Sequence, residues 1–272
     1  MRPIRAAATV AAVDRAWAEA VAVETLAVFT ALPLDAEGHP LLRAAPLSPD
    51  LVLVGGSPGR PGAHYRLTDT DAGKAHDITF TGWDAHSLHL RVGDGDAGGT
   101  VRVEAEAVLT GARAGLTMTG SDHDGTKVGL TWSAEASFER WWRPAGGGRA
   151  GSRRSPRTAP AVLATVSHRL LSGRIEARCS PAPAPAAQPS WVLEVAVHPR
   201  GRGLTRPLVA VALLVARHAL DRRLATFLQG MARQWNEELP EWTGLPRAET
   251  AERVLMLLAT ELLPSEAAPT PP

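Results

Sequence analysis

The 272-residue sequence predicts an α+β fold in which an antiparallel β-meander packs with a long C-terminal α-helix. Three observations predict it. Between residues 64 and 139, apolar and polar side chains alternate in six consecutive runs, the period of strands with one buried and one wet face. The runs are separated by short segments rich in Gly and Asp, which suit tight turns, and short turns make antiparallel neighbours. From about Thr205 the period changes: Leu213, Leu220, Leu224, Phe227, Met231, Trp235 and Leu239 recur at spacings of three, four and seven, as on one side of a helix.

Residues 4–10 read as a first short strand. In "VDRAWAEAVAVETLAVFTAL", Trp17, Val21, Leu26, Phe29 and Leu32 mark one helix, or two with a bend, closed by Pro33. A Pro/Gly-punctuated connection follows, from about Leu34 to Pro61. The six runs are "HYRLTD", "HDITFTGW", "SLHLRV", "TVRVEAEAVL", "GLTMTG" and "KVGLTWSAEASFE". The segments 143–160 and 180–190 are so rich in Gly, Pro and Ala that neither buries enough apolar surface to offset its ordering entropy. They bracket "AVLATVSHRLLSGRIEARC", a further candidate strand pair, and "WVLEVAV" reads as a strand leading to the long helix. Thr205 is placed to cap that helix and Pro240 to stop it. A shorter helix near Ala248–Leu263 and a Pro-rich tail complete the pattern.

A net charge of +1 argues against a dedicated nucleic-acid binder. Cys179 is the only cysteine, which leaves no internal disulfide and no Cys-rich zinc site. The alanine-rich N-terminus is interrupted early by Asp14 and Arg15 and reads as part of the fold rather than an export signal. The most apolar stretch, Pro207 to Ala216, is half the length a bilayer span requires. A cytoplasmic protein without a transmembrane segment is the expectation.

Three motifs carry a resemblance. "TVAAVDRAWAEA" from Thr9 looks like a first strand running into a first helix. "DITFTGWDAHSLHLRV" from Asp77 is a strand, an aspartate turn and a strand, and "DGTKV" from Asp124 opens a late strand that carries a Trp. In this order they resemble the SRPBCC (START-like) superfamily, of the polyketide cyclase/dehydrase and lipid-transport type. The resemblance covers roughly residues 1–139 and 191–239, with Val13 where the family often has Pro. It implies a helix-grip fold: a single domain over 1–239, with 140–190 as an insertion and 240–272 as a C-terminal extension. It further implies a cavity between sheet and C-terminal helix for a small hydrophobic, lipid-like or polyketide-like molecule. Tyr65, Phe80, Met118, Leu130, Trp132, Phe138, Phe227 and Met231 are the candidate lining residues. Aromatic and Met side chains offer an apolar guest large contact area and adaptable shape. Some members of that superfamily catalyse cyclisation or dehydration by positioning the substrate; others carry ligands. The same residues packed solidly against one another would instead make a filled core, and an interaction protein.

A second resemblance is local. "VLEVAVHPRGRGLTRPLVAVALLVARHA" from Val192 looks like the acetyl-CoA segment of GNAT acetyltransferases, a strand leading through Arg and Gly residues into a helix. It implies pyrophosphate contacts from Arg200, Arg202, Gly203 and Arg206. Thr205 stands where that family has a smaller residue, and no strand is expected after Ala219. The helix-grip reading needs no cofactor.

Other chemistry is sparse. His86 and His89 are three apart, on opposite faces of a regular strand, and Asp122, His123 and Asp124 lack the spacing of a calcium loop. No metal site is expected. Glu104 and Glu106 share a strand face and read as solvated. Trp141 and Trp142 read as an aromatic clamp at a strand end, and the Arg-rich stretch 149–157 as a candidate contact for an acidic partner or a lipid surface.

Overall fold

A computed structural model describes residues 3–69, 74–94, 101–111, 114–124, 128–142, 159–182 and 189–262. Along the chain they form β1 (Ile4–Ala11), α1 (Arg15–Ala31), β2 (Leu41–Leu42), β3 (Ala45–Pro46), β4 (Leu51–Gly55), β5 (His64–Asp69) and β6 (Lys74–Trp83). Then come β7 (Ser87–Asp94), β8 (Val101–Val108), β9 (Gly115–Asp124), β10 (Val128–Ser137) and the short helix α2 (Phe138–Trp142). β11 (Val162–Ser167), β12 (Leu171–Pro181), β13 (Ser190–Gly201), α3 (Arg206–Gly244) and α4 (Arg247–Leu262) complete the order. This is an α+β, helix-grip-like arrangement: among the described residues eleven strands form an antiparallel sheet, β2 and β3 pair separately, and a long C-terminal helix follows.

The chain groups into two compact units, residues 1–15 with 111–244 and residues 16–110 with 245–272, where the sequence suggests one domain and an extension. In the second unit the strand order is β8-β7-β6-β5-β4, a plain meander. Its core is aromatic. Phe29 of α1 meets Tyr65 at 5.9 Å, Phe80 at 6.1 Å and Trp83 at 5.7 Å between ring centroids. Tyr65 and Phe80 meet edge-on at 5.6 Å. In a regular strand Phe80 and Trp83 would point to opposite faces. A register shift between Phe80 and Gly82 reverses the alternation and brings both rings onto the core. Leu51 and Leu53 pack onto this cluster from β4, a strand hidden in the sequence by its Pro- and Gly-rich surroundings.

In the first unit the order is β1-β13-β12-β11-β10-β9. Residues 140–190, read from the sequence as an insertion, supply β11 and β12 in the middle of this ladder. Residues 143–158 and 183–188, which make up most of the Gly/Pro/Arg-rich and Pro/Ala-rich segments, lie outside the described residues.

α3 runs beside β1, and its side chains serve the outer edge of that strand as a neighbouring strand would. Asp221 accepts from the Arg5 N–H at 3.2 Å. The Asn236 amide accepts from the Ala11 N–H at 2.6 Å and donates to the Thr9 carbonyl at 3.1 Å. The Trp235 indole N–H donates to the Ala11 carbonyl at 3.0 Å. Covering an edge in this way removes a template for unwanted pairing.

Two helix-end expectations are corrected. Thr205 does not cap α3: its hydroxyl donates to the carbonyls of Leu170 and Arg202, at 2.8 and 2.7 Å. Pro240 does not stop α3, which continues to Gly244. Its ring removes only the bond to the carbonyl of residue 236, and the Thr243 hydroxyl donates to the Leu239 carbonyl in the turn beyond.

Candidate functional site

The sheet of the first unit has two chemically different faces, and the pairing registers identify them. One cross-strand row reads Met118, Ala134, Ala164, Ile175, Val197, Ile4; the next reads Leu116, Ala136, Val162, Ala177, Val195, Ala6. Neither row contains an ionisable group. On the other face a row reads Thr117, Glu135, Leu163, Glu176, Ala196, Arg5. There Glu176 is buried between Arg174 at 2.8 Å and Arg178 at 2.6 Å, and the hydroxyls of Ser133 and Thr165 hydrogen-bond at 2.7 Å.

The apolar face is only half covered. Ile4 is buried and Ile175 exposed; the other residues of its two rows are half-buried. Trp132 lies one step further along β10 from this first row, its indole spread over Gly120 of β9. A side chain at Gly120 would occupy the space of the ring, so the glycine permits the pose. The opposite end of the face is walled by aromatics. Phe138 meets Trp142 at 6.1 Å; Trp142 and Trp141 meet Trp191 at 6.1 and 6.0 Å; and the Trp142 indole N–H donates to the Val13 carbonyl at 2.9 Å.

The helix has its own two sides. Leu228, Ala232 and Leu239 are buried. An open groove of about 550 Å³ runs between α3 and β1, lined by Ala7, Ala8 and Thr9 of the strand and by Gln229, Arg233, Asn236 and Glu237 of the helix. Ala7 and Thr9 belong to the polar face of the sheet, so the polar stripe of α3 lies on that side. At 3.6 residues per turn, Leu220, Leu224, Phe227 and Met231 fall on the opposite side of the helix. They therefore lie on the side of the apolar sheet face. Phe227 is 64 % exposed and Met231 54 %.

The residues singled out in the sequence thus divide. Met118, Leu130, Trp132, Phe138, Phe227 and Met231 belong to the first unit, with Leu130 and Phe138 at opposite ends of the apolar face. Phe138 opens α2 rather than continuing the strand. Tyr65 and Phe80 sit in the closed aromatic core of the second unit, where burial raises the Tyr65 phenol above its ordinary value. Glu104 and Glu106 face Arg91 at 3.2 Å and His89 at 3.8 Å across the β7–β8 pair, and His86 lies in the turn before β7. Arg200 is the last residue but one of β13; Arg202 and Gly203 belong to the turn into α3, which Arg206 begins. Among the described residues the chain after α3 forms a helix and no strand. Spacing places Leu220 and Leu224 in the helical stripe but does not mark them as site residues, and the small residues of the sheet rows needed the register.

The apolar side carries little reactive chemistry. Cys179, paired with Leu193 beside the rows, has its thiol pushed up to about 11 by burial and is held as the unreactive thiol at neutral pH. The arrangement suits holding an apolar molecule. No family model matches the chain, and no curated protein matches it.

Proposed function

We propose that the first unit binds a small hydrophobic molecule between the apolar face of its sheet and the Leu224–Phe227–Met231 stripe of α3. One observation carries the reading: two apolar surfaces on the same side of one unit are left partly open, with an aromatic wall at one end. A soluble monomer rarely leaves such surfaces without a use, and a small-molecule site is commonly apolar with few polar groups. The strand order with its trailing helix, together with the motifs at Thr9, Asp77 and Asp124, supports membership of the SRPBCC superfamily and a lipid-like or polyketide-like guest. Carriage of the guest and a cyclase/dehydrase-like reaction by positioning both follow from this reading.

Native mass spectrometry of freshly purified protein, followed by titration with a fluorescent fatty acid, tests this. The expected result is an extractable adduct of low mass and saturable uptake that Trp132→Ala and Phe227→Ala weaken while Arg202→Ala does not. An adduct of coenzyme A mass that is lost on changing Arg200 or Arg202 would overturn the reading in favour of acetyl transfer. Absence of uptake in a folded protein would overturn it in favour of a filled core.

A further inference from the structure

The end of the first unit opposite the tryptophans joins three pieces of chain. The tip of the β11–β12 hairpin, residues 168–171, is tied to the start of α3: the Arg202 N–H and the Thr205 hydroxyl both donate to the Leu170 carbonyl, at 2.9 and 2.8 Å. Leu171 pairs with Gly201 at the end of β13. Further along α3, Arg217 donates to the Pro3 carbonyl, just before β1, at 3.4 Å.

This end is both apolar and cationic. Leu170 and Leu171 stand exposed at the hairpin tip. Val211, Leu214 and Val215, spaced as one side of a helix, are 62, 75 and 80 % exposed. Around them Arg169, Arg200, Arg202 and Arg206 are exposed, and among the described residues none of the four pairs with a carboxylate. The sequence holds no Asp or Glu from Leu163 to Ile175 or from Val195 to Leu220. With a net charge of only +1 over the whole chain, the positive charge here is local.

We infer that this end docks on the surface of an anionic lipid bilayer, with the leucines and valines entering the headgroup–acyl boundary and the arginines meeting the phosphates. Charge complementarity selects an anionic partner. The five exposed aliphatic residues select a bilayer, because its acyl boundary covers leucine and valine while the outer surface of a nucleic acid is mostly sugar and phosphate. Among the described residues no helix is long and apolar enough to cross a membrane, so the engagement is with the surface. The inference stands whether or not the apolar face takes a ligand.

Co-sedimentation of the full chain with vesicles tests it. Vesicles of equal parts phosphatidylcholine and phosphatidylglycerol are expected to bind the protein at low salt, and phosphatidylcholine alone much less. Each arginine near such a surface is worth roughly fivefold in affinity, so changing Arg200, Arg202 and Arg206 together to Gln is expected to weaken binding on the order of a hundredfold. Leu214→Ser with Val215→Ser, both at exposed positions, is expected to weaken it at least about tenfold with an unchanged circular dichroism spectrum. Binding that ignores the serine pair, or that single-stranded DNA competes away at equal charge, would overturn the inference in favour of a general polyanion site. Failure to bind phosphatidylglycerol vesicles at low salt would also overturn it. Trp132→Ala is expected to leave vesicle binding unchanged, so this proposal and the ligand proposal fail separately.

Discussion

The second unit and the first use the same material, antiparallel strands with alternating faces, to different ends. In the second, Tyr65, Phe80, Phe29 and Trp83 close on one another, and Tyr65 and Phe80 retain only 2 % and 6 % exposure. In the first, the comparable face is built mainly of Ala, Val and Ile, and α3 lies along the strand edge rather than flat on the face. A large ring on each of several elements fills a layer by itself. Small side chains on a sheet leave a layer to be filled by something else. The difference teaches that apolar alternation marks a buried face without revealing whether protein or a guest buries it.

The comparison breaks most easily at the aromatic core. Phe80→Ala removes a ring that touches three others and is expected to cost about 3–5 kcal/mol of stability, read from denaturant midpoints. A loss below about 1 kcal/mol would mean that the cluster is loosely packed and that the two regions do not differ as described. Gly120→Ala places a methyl where the Trp132 ring lies, and about 1–3 kcal/mol is expected, with a changed tryptophan emission that locates the disturbance. An unchanged emission spectrum would show that the indole does not rest on Gly120 in solution.

Phe227→Ala sharpens the contrast from the other side. Because this ring is 64 % exposed, its removal is expected to alter stability by no more than about 0.5 kcal/mol, while ligand uptake falls. A large destabilisation would instead make Phe227 part of a closed core like that of Phe80. The smallest effect concerns Cys179. Its thiol, held up to about 11 by burial, is expected to alkylate slowly at neutral pH and faster as pH rises towards that value, because only the thiolate reacts. Occupation of the apolar face is expected to slow alkylation further; rapid labelling at pH 7 would show that the thiol is not buried in solution.

Much of the fold was legible in residue order. The six alternating runs all appear as strands, "HYRLTD" to the residue, because half-buried strands display their period locally. β4 was not legible, since its five residues are too few to show a period among turn residues. The site was less legible than the fold. The stripe Leu220, Leu224, Phe227 and Met231 could be read from spacing, but its exposure could not. Leu228 and Ala232, which pack inward, are chemically ordinary neighbours of Phe227 and Met231, which do not.

The sequence by itself determined where most of the strands and helices lie and which side of each regular one is apolar, because both follow from side-chain period and from turn chemistry a few residues away. Only the tertiary structure decided how those sides are used. It put β11 and β12 inside the ladder, turned Phe80 and Trp83 to one face through a bulge, and set α3 on the edge of β1 through Asp221, Trp235 and Asn236. Each of these depends on partners far away in the chain. Register and edge pairing are settled by contacts between distant segments, which no local period records.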